Sequence, residues 1–284
     1  MASDLDETQD PLDLLRLGYA GPLLQHKVRR WEQREAVERI EPVAEEIPVT
    51  IAYNRLPHAV MMATPTDLED FALGFSITEE LIGSPSELKT LEVVRYSRGI
   101  ELLASVSDEV AAAVKERTRR LTGRTGCGIC GADSVAAVFK ELRPVAPGAV
   151  VTVDAIHKAL LALNERQTYN AATGTVHAAA WATAQGELQD VREDVGRHNA
   201  LDKLIGALLK RDLDARSGFV VLTSRASFEM VTKAARASIE IIIAAGAPSS
   251  LAIEAANRWN LTLSGSARSG RANLYTHAQR IDIS

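Results

Sequence analysis

Phe219-Val-Val-Leu-Thr223, Ser224-Arg-Ala-Ser-Phe-Glu229 and Ile239-Glu-Ile-Ile-Ile-Ala244 follow one another closely, and their order decides the fold. The outer two are short apolar runs, as expected of strands buried on both faces. Between them Ser227 opens a helix. Working outward, a strand at 261–263 follows a helix over 250–259. Upstream lie a helix over 198–211 and a hairpin of 176–183 with 187–195, turned at Gln185-Gly186. A helix capped by Asp154 and reaching about residue 166 precedes them, behind a short extended piece at 150–153. A further helix is expected over 134–142, before Pro144 and Pro147 break the chain. Strand-helix-strand-helix-strand in this order predicts a right-handed, mostly parallel layer with helices on its faces. The fold class is α/β.

The part before it reads as a small α+β module. Residues 47–53 and 58–63 alternate as a hairpin. Thr66 caps the next helix with Glu69 as its capping-box partner, and Leu68, Phe71, Ala72, Phe75, Leu81 and Ile82 form one buried face. A second hairpin joins 91–96 to 100–106, and a helix runs from Ser107 to about 121, ending in Arg117, Arg119 and Arg120. Residues 1–45, polar and broken by proline and glycine, read as a loosely held extension. The expected organisation is therefore an extension at 1–45, an α+β module at 46–124 and an α/β domain at 125–284.

The chain has 284 residues, enough for real cores, and its 46% hydrophobic and 24% charged content is ordinary for a globular protein. A net charge of −5 gives no general reason to expect nucleic acid. No apolar run is long enough for a membrane helix. The start is acidic (Asp4, Asp6, Glu7, Asp10) and lacks a secretory pattern. Both cysteines, Cys127 and Cys130, fall in Arg124-Thr-Gly-Cys-Gly-Ile-Cys-Gly131. A bridge between them would close too small a loop to staple a fold, so a reducing cytoplasm with chemically active thiols is expected.

Cys-X-X-Cys fits three chemistries. A dithiol oxidoreductase usually sets its first cysteine at a helix N-terminus, a zinc site needs four ligands, and a sulfur relay needs a nucleophilic thiolate on a movable loop. Arg117, Arg119, Arg120 and Arg124 would favour that thiolate. Elsewhere, Arg192-Glu-Asp-Val-Gly-Arg-His-Asn-Ala-Leu-Asp-Lys203 is the densest polar run, at a strand-to-helix passage. It reads as a solvated helix start, in which Glu193 and Asp194 pair with Arg197, or as a set of ligand contacts. His177 by itself reads as structural. Ser224–Glu229 and Gly246–Ser250 sit where helix amides bind anions or where serine merely caps. Ser264-Gly-Ser-Ala-Arg-Ser-Gly-Arg271 reads as a glycine-serine loop whose two arginines suit phosphate. No P-loop pattern occurs, so nucleotide hydrolysis is not supported.

Together these motifs resemble the formate dehydrogenase accessory sulfurtransferase family, FdhD, over about residues 46–283. The resemblance rests on Ala63-Thr-Pro-Thr-Asp67, Ala72-Leu-Gly-Phe75, Gly126-Cys-Gly-Ile-Cys-Gly131, Thr175-Val-His-Ala-Ala-Ala180 and Glu193–Lys203. It continues through Ser224–Glu229, Ala247-Pro-Ser-Ser-Leu-Ala252 and Asn273-Leu-Tyr-Thr276. It implies a persulfide sulfurtransferase that takes sulfur from an L-cysteine desulfurase. The sulfur passes to the molybdenum cofactor, bis(molybdopterin guanine dinucleotide), before insertion into the catalytic subunit of formate dehydrogenase. It assigns the persulfide to Cys127 and a relay role to Cys130. It places cofactor contacts at Ser266, Ala267, Arg268, Ser269, Gly270 and Arg271, and it implies a cytidine-deaminase-like three-layer C-terminal domain. The deaminase zinc signature is missing, so deamination does not follow and no protein-held metal is expected. Ser266, Ala267, Ser269 and Ala272 replace two aromatics, a valine and a glycine common in relatives, while both arginines are kept. A rival of another class is a non-catalytic cofactor chaperone whose cysteines are structural or bind metal; a thiol oxidoreductase is a third. The sequence is silent on oligomeric state, a homodimer being the commonest symmetric assembly.

Overall fold

The computed structural model describes residues 21–96, 99–121, 142–268 and 270–284. Cys127, Cys130, Ser269 and the helix expected over 134–142 lie outside the described residues.

The chain opens with a hairpin of β1 (Leu23–Glu32) and β2 (Glu35–Ala44), turned at Gln33 and Arg34, both with positive φ. Residues 23–44 are therefore a regular ladder and not the loose extension expected. Cross-strand ion pairs such as Lys27–Glu38 (2.6 Å) and Arg30–Glu41 (2.6 Å) occupy its faces. Trp31 and Ile40 stay exposed, so no buried apolar stripe marked these strands in the sequence.

β3 (Ile47–Tyr53) and β4 (Leu56–Ala63) lead into α1 (Leu68–Thr78); β5 (Thr90–Tyr96) and β6 (Gly99–Ser105) lead into α2 (Asp108–Leu121). The sheet order is β4-β3-β6-β5, with β3 and β6 parallel. Ile51, Tyr53, Leu68, Phe71, Ile100 and Leu102 fill the space between sheet and helices. The expected Thr66–Glu69 capping box does not form. Asp67 takes the N-cap position in the left-handed region (φ 51°) without a side-chain cap bond. Its carboxylate instead faces Arg192 Nε at 3.4 Å.

Next come β7 (Val151–Thr152), α3 (Val153–Arg166), α4 (Thr168–Thr173), β8 (His177–Thr183), β9 (Leu188–Asp194) and α5 (Arg197–Lys210). They are followed by β10 (Gly218–Leu222), α6 (Phe228–Arg236), β11 (Ile241–Ala244), α7 (Ser250–Arg258), β12 (Thr262–Arg268), β13 (Arg271–Thr276) and β14 (Ile281–Asp282). Thr152, not Asp154, caps α3: its hydroxyl accepts a bond from the Ala155 amide at 3.1 Å.

The large sheet runs β13-β12-β11-β10-β8-β9. Only the β10–β11 and β11–β12 pairs are parallel, so the expected mostly parallel layer is in fact mixed. The α6 and α7 crossovers generate the parallel centre, and the β8–β9 and β12–β13 hairpins add antiparallel margins. Strand alternation sorts the core between two faces. Val220, Leu222 and Ile242 pack with α5, α6 and α7, while Phe219, Val221, Ile241 and Ile243 pack with α3. Helices thus cover both faces, the three-layer arrangement of the α/β class.

The two sheets are joined by a close crossing of α1 and α5. A Cβ on Gly74 would fall 1.7 Å from the Asp202 carbonyl oxygen, and one on Gly206 would fall 1.9 Å from that of Asp70. The helix backbones touch, and no larger residue fits at either point. Beside the crossing, buried Asp70 accepts bonds from Arg192 Nη2 (2.8 Å) and Lys210 Nζ (2.8 Å).

Candidate functional site at the strand ends

The parallel strands β10, β11 and β12 point their carboxyl ends the same way, and their following loops meet there. The Gly246 amide donates to Ser224 O (3.1 Å), that of Ser249 to Ala226 O (3.2 Å) and that of Ser266 to Gly246 O (3.1 Å). Glycine is required for this approach: a Cβ on Gly246 would lie 2.7 Å from Arg225 Cγ, and one on Gly265 2.6 Å from Pro248 Cδ. Ser224, Arg225, Gly246, Pro248, Gly265, Ser266 and Tyr275 therefore line one place, although the sequence presents them as separate motifs. Ser227 and Ser249 act as caps, accepting from Met230 N (3.5 Å) and Ala252 N (3.3 Å).

The start of α5 borders the same end of the sheet. His198 Nε2 lies 2.8 Å from Glu229 Oε2, bringing the first turns of α5 and α6 together without an aligned hydrogen bond. His177, registered opposite Asp194, has its pKa lowered by burial and then by Arg197. Among the described residues Arg197, Arg225, Arg268 and Arg271 have no carboxylate within ion-pair distance. Cations left without acids around glycine-rich strand ends suit a polyanion.

Residues 264–271 are not the open loop expected. β12 and β13 extend through most of it as a hairpin, irregular between Gly265 and Arg268. Ser266 adopts φ 54° beside Gly246, and Ala267 turns into the core under α3. Gly270, with φ +86°, donates its amide to His157 Nε2 at 3.1 Å. Arg268 and Arg271 stand directly opposite each other and exposed. Like charges so paired repel unless an anion lies between them. Of the six cofactor contacts expected here, Ser266, Arg268, Gly270 and Arg271 are accessible, Ala267 is buried, and Ser269 is outside the described residues.

The polar run 192–203 is a buried knot and not a solvated helix start. Asp194, fully buried, accepts from the Thr64 amide (3.0 Å), the Gly196 amide (2.7 Å), Asn199 Nδ2 (2.9 Å) and Lys203 Nζ (2.7 Å). Glu193 does not pair with Arg197; it accepts the Tyr169 and Asn170 amides at 2.9 and 2.8 Å. Thr64 and Lys203 were not evident as partners in the sequence. The available signal was a lysine directly before the apolar run Leu204–Leu209 of the helix.

A second network meets the end of α2. Lys233 Nζ contacts Asp202 Oδ2 (2.9 Å), Glu79 Oε1 (2.9 Å) and Thr78 Oγ1 (3.0 Å). Burial would strip the lysine's proton, but Asp202 and Glu79 push its pKa above the ordinary value. Arg117, expected to serve the thiols, donates instead to Glu79 O and faces Glu79 Oε2 at 3.6 Å. Next to it, His58 Nδ1 bonds Thr118 Oγ1 at 2.7 Å. Because Thr118 donates to Val114 O (2.8 Å), its oxygen receives the His58 N–H.

Burial, then Arg117, lowers the His58 pKa from 6.5 to about 4. Below pH 6.5 the unfolded chain gains a proton there that the folded chain refuses until about pH 4, so stability falls across that window. The expected loss between pH 7 and pH 4.5 is roughly 2 kcal/mol from this group. Urea unfolding of His58→Gln at both pH values checks it: the acid-side slope flattens by that amount, and an unchanged slope refutes the assignment.

Among the described residues no group of three or more His, Cys, Asp or Glu is placed to hold a metal ion. None of the described helices is long and apolar enough to cross a membrane.

Fold and site together define an α/β protein with arginines that lack carboxylate partners, among the described residues, grouped at the carboxyl ends of its parallel strands. The FdhD/NarQ family model matches residues 44–282. The chain belongs to that family. It is 50% identical over 257 residues to "Sulfur carrier protein FdhD" of Xanthomonas campestris pv. campestris (strain B100), covering 90% of this chain and 91% of the relative. The protein of the same name from Bordetella petrii is 46% identical over 248 residues, covering 87% and 89%. A crystal structure described as a formate dehydrogenase accessory protein, from Desulfotalea psychrophila, superimposes with a TM-score of 0.72 at 26% identity, covering 91% of this chain and 99% of the other.

Proposed function

We propose that the protein is a sulfur carrier in the maturation of formate dehydrogenase. The Cys127 thiolate attacks the outer sulfur of a persulfide on an L-cysteine desulfurase. A new S–S bond forms at Cys127, the donor's S–S bond breaks, and the donor cysteine leaves as a thiolate. Cys130 is the relay or second acceptor. The outer sulfur then passes at the sulfide level to the molybdenum cofactor, bis(molybdopterin guanine dinucleotide), which is held as substrate before its insertion into the dehydrogenase. The Cys130 thiolate attacks Cys127 Sγ, the persulfide S–S bond breaks toward the outer sulfur, and the two cysteines are left as a disulfide that a thiol reductant reopens.

The observation that carries the acceptor side is the pair Arg268 and Arg271, opposite each other with no carboxylate partner among the described residues. A guanine dinucleotide brings the phosphates such a pair lacks. Arg225, packed against Gly246, and Arg197, at the start of α5, add positive charge at the same end of the sheet. Ser266 and Tyr275 supply neutral hydrogen-bonding groups nearby.

The test is the double variant Arg268→Gln/Arg271→Gln, assayed for binding of the isolated cofactor. Charge-assisted bonds contribute about 1.5–3 kcal/mol each, so affinity is expected to fall about a hundredfold and its salt dependence to weaken. Affinity within about threefold of wild type would place the anion elsewhere.

A further inference from the structure

Resting on the sulfur-carrier reading above, we infer that His157 is a further residue of the anion site at Arg268 and Arg271. It sets the tip of the β12–β13 hairpin and offers a donor to a nucleotide phosphate held there. α3 meets this hairpin at two points. Ala267 packs in the same core cluster as Ile156, the neighbour of His157. Beyond it, the Gly270 amide donates to His157 Nε2 at 3.1 Å. The two contacts bracket Arg268 and immediately precede Arg271, the residues that stand opposite each other across the hairpin.

The bond also fixes the state of the ring. Nε2 accepts, so the neutral imidazole carries its proton on Nδ1. Among the described residues that Nδ1–H has no acceptor. The two ring nitrogens flank a single carbon, which places the free donor beside the backbone of Gly270 and Arg271. A phosphate that neutralises the arginine pair therefore finds a third, uncharged donor at the tip.

Two features separate this contact from ordinary packing. Gly270 is exposed, and a Cβ on it would meet nothing within 4 Å. Water satisfies so open an amide as well as a side chain does, and the fold does not need the bond. What the bond holds is an arrangement that costs energy by itself, two like charges directly opposed. The residue type fits the same purpose. Lysine or arginine at this position has no acceptor for the amide, while a carboxylate would accept it but cancel the charge of the site. A neutral imidazole accepts with one nitrogen, donates with the other and leaves the positive charge intact.

The experiment measures binding of guanosine diphosphate, which carries the guanine and the linked phosphates of half the proposed cofactor. The proteins are wild type, His157→Leu and His157→Gln, each also combined with Arg271→Gln. Glutamine keeps a neutral acceptor and a donor at similar reach; leucine keeps neither. His157→Leu is expected to lower affinity roughly tenfold, and His157→Gln by less than about threefold. Combined with Arg271→Gln, the leucine substitution is expected to cost less than about threefold more, because both residues act on one phosphate.

Affinity of His157→Leu within about twofold of wild type overturns the inference. So does an equal loss with and without Arg271, or a glutamine variant as weak as the leucine one. Each would mark a contact that serves the fold alone, as would a His157→Leu protein that does not fold. These outcomes leave the effect of Arg271 intact and spare the arginine reading of the hairpin. If wild type binds the diphosphate no better than Arg271→Gln does, that reading fails, and the role of His157 with it.

Discussion

Lys203→Met is expected to destabilise the protein by about 3–5 kcal/mol. The lysine is fully buried, and its ammonium has three acceptors: Asp194 Oδ2 at 2.7 Å, Thr64 O at 2.8 Å and Glu193 O at 3.4 Å. Methionine fills the same volume but supplies no donor. Buried Asp194 would keep three neutral donors but lose its cation, and the Thr64 carbonyl would lose its partner. The cost comes from these stranded groups more than from the lost attraction. Asp194→Asn added to Lys203→Met should recover part of the loss, because it removes the stranded charge. Its one amide oxygen, at the Oδ1 position, still accepts from the Gly196 amide and Asn199 Nδ2; only the Thr64 amide, which meets Oδ2, loses its acceptor. Urea unfolding measures both; a loss below about 1 kcal/mol for the single variant would show that the knot is not a stability element.

The second large effect concerns the sulfur. Cys127→Ala is expected to abolish sulfur acquisition from the desulfurase, since no other residue in the proposed scheme carries the first S–S bond. Cofactor affinity should remain near wild type, because the described groups of the strand-end site lie on β10–β13, their loops and the start of α5. Joint loss of both would assign the thiol segment a structural role. Cys130→Ala separates relay from bystander: a relay variant loads sulfur at Cys127 but passes it on slowly.

The central sheet was legible because its strands are short, apolar and bounded by serine caps; Phe219–Thr223 and Ile239–Ala244 have few alternative interpretations. Strand direction was not legible. Periodicity says that a strand exists, while the antiparallel pairing of β8 with β10 depends on where α5 packs. The β1–β2 hairpin escaped notice because cross-strand ion pairs, not an apolar stripe, cover it. The expected cap at Thr66 failed for a tertiary reason: Asp67 turns to Arg192, far along the chain. At the site, Arg268 and Arg271 were visible as arginines in a glycine-serine context, but their direct opposition required the register of β12 and β13. Ala267, expected among the cofactor contacts, is drawn into the core by the irregularity before it. Lys203, Glu79 and Lys233 were missed because a buried ion pair looks like any exposed one until its partners, from distant segments, are in place.

The most direct measurement is the intact mass of the wild-type protein after incubation with a cysteine desulfurase and L-cysteine, followed by peptide mapping. A gain of one sulfur atom located at Cys127, removable by reductant, is the predicted result. An unchanged mass with a desulfurase that loads another acceptor in parallel would contradict the proposed function.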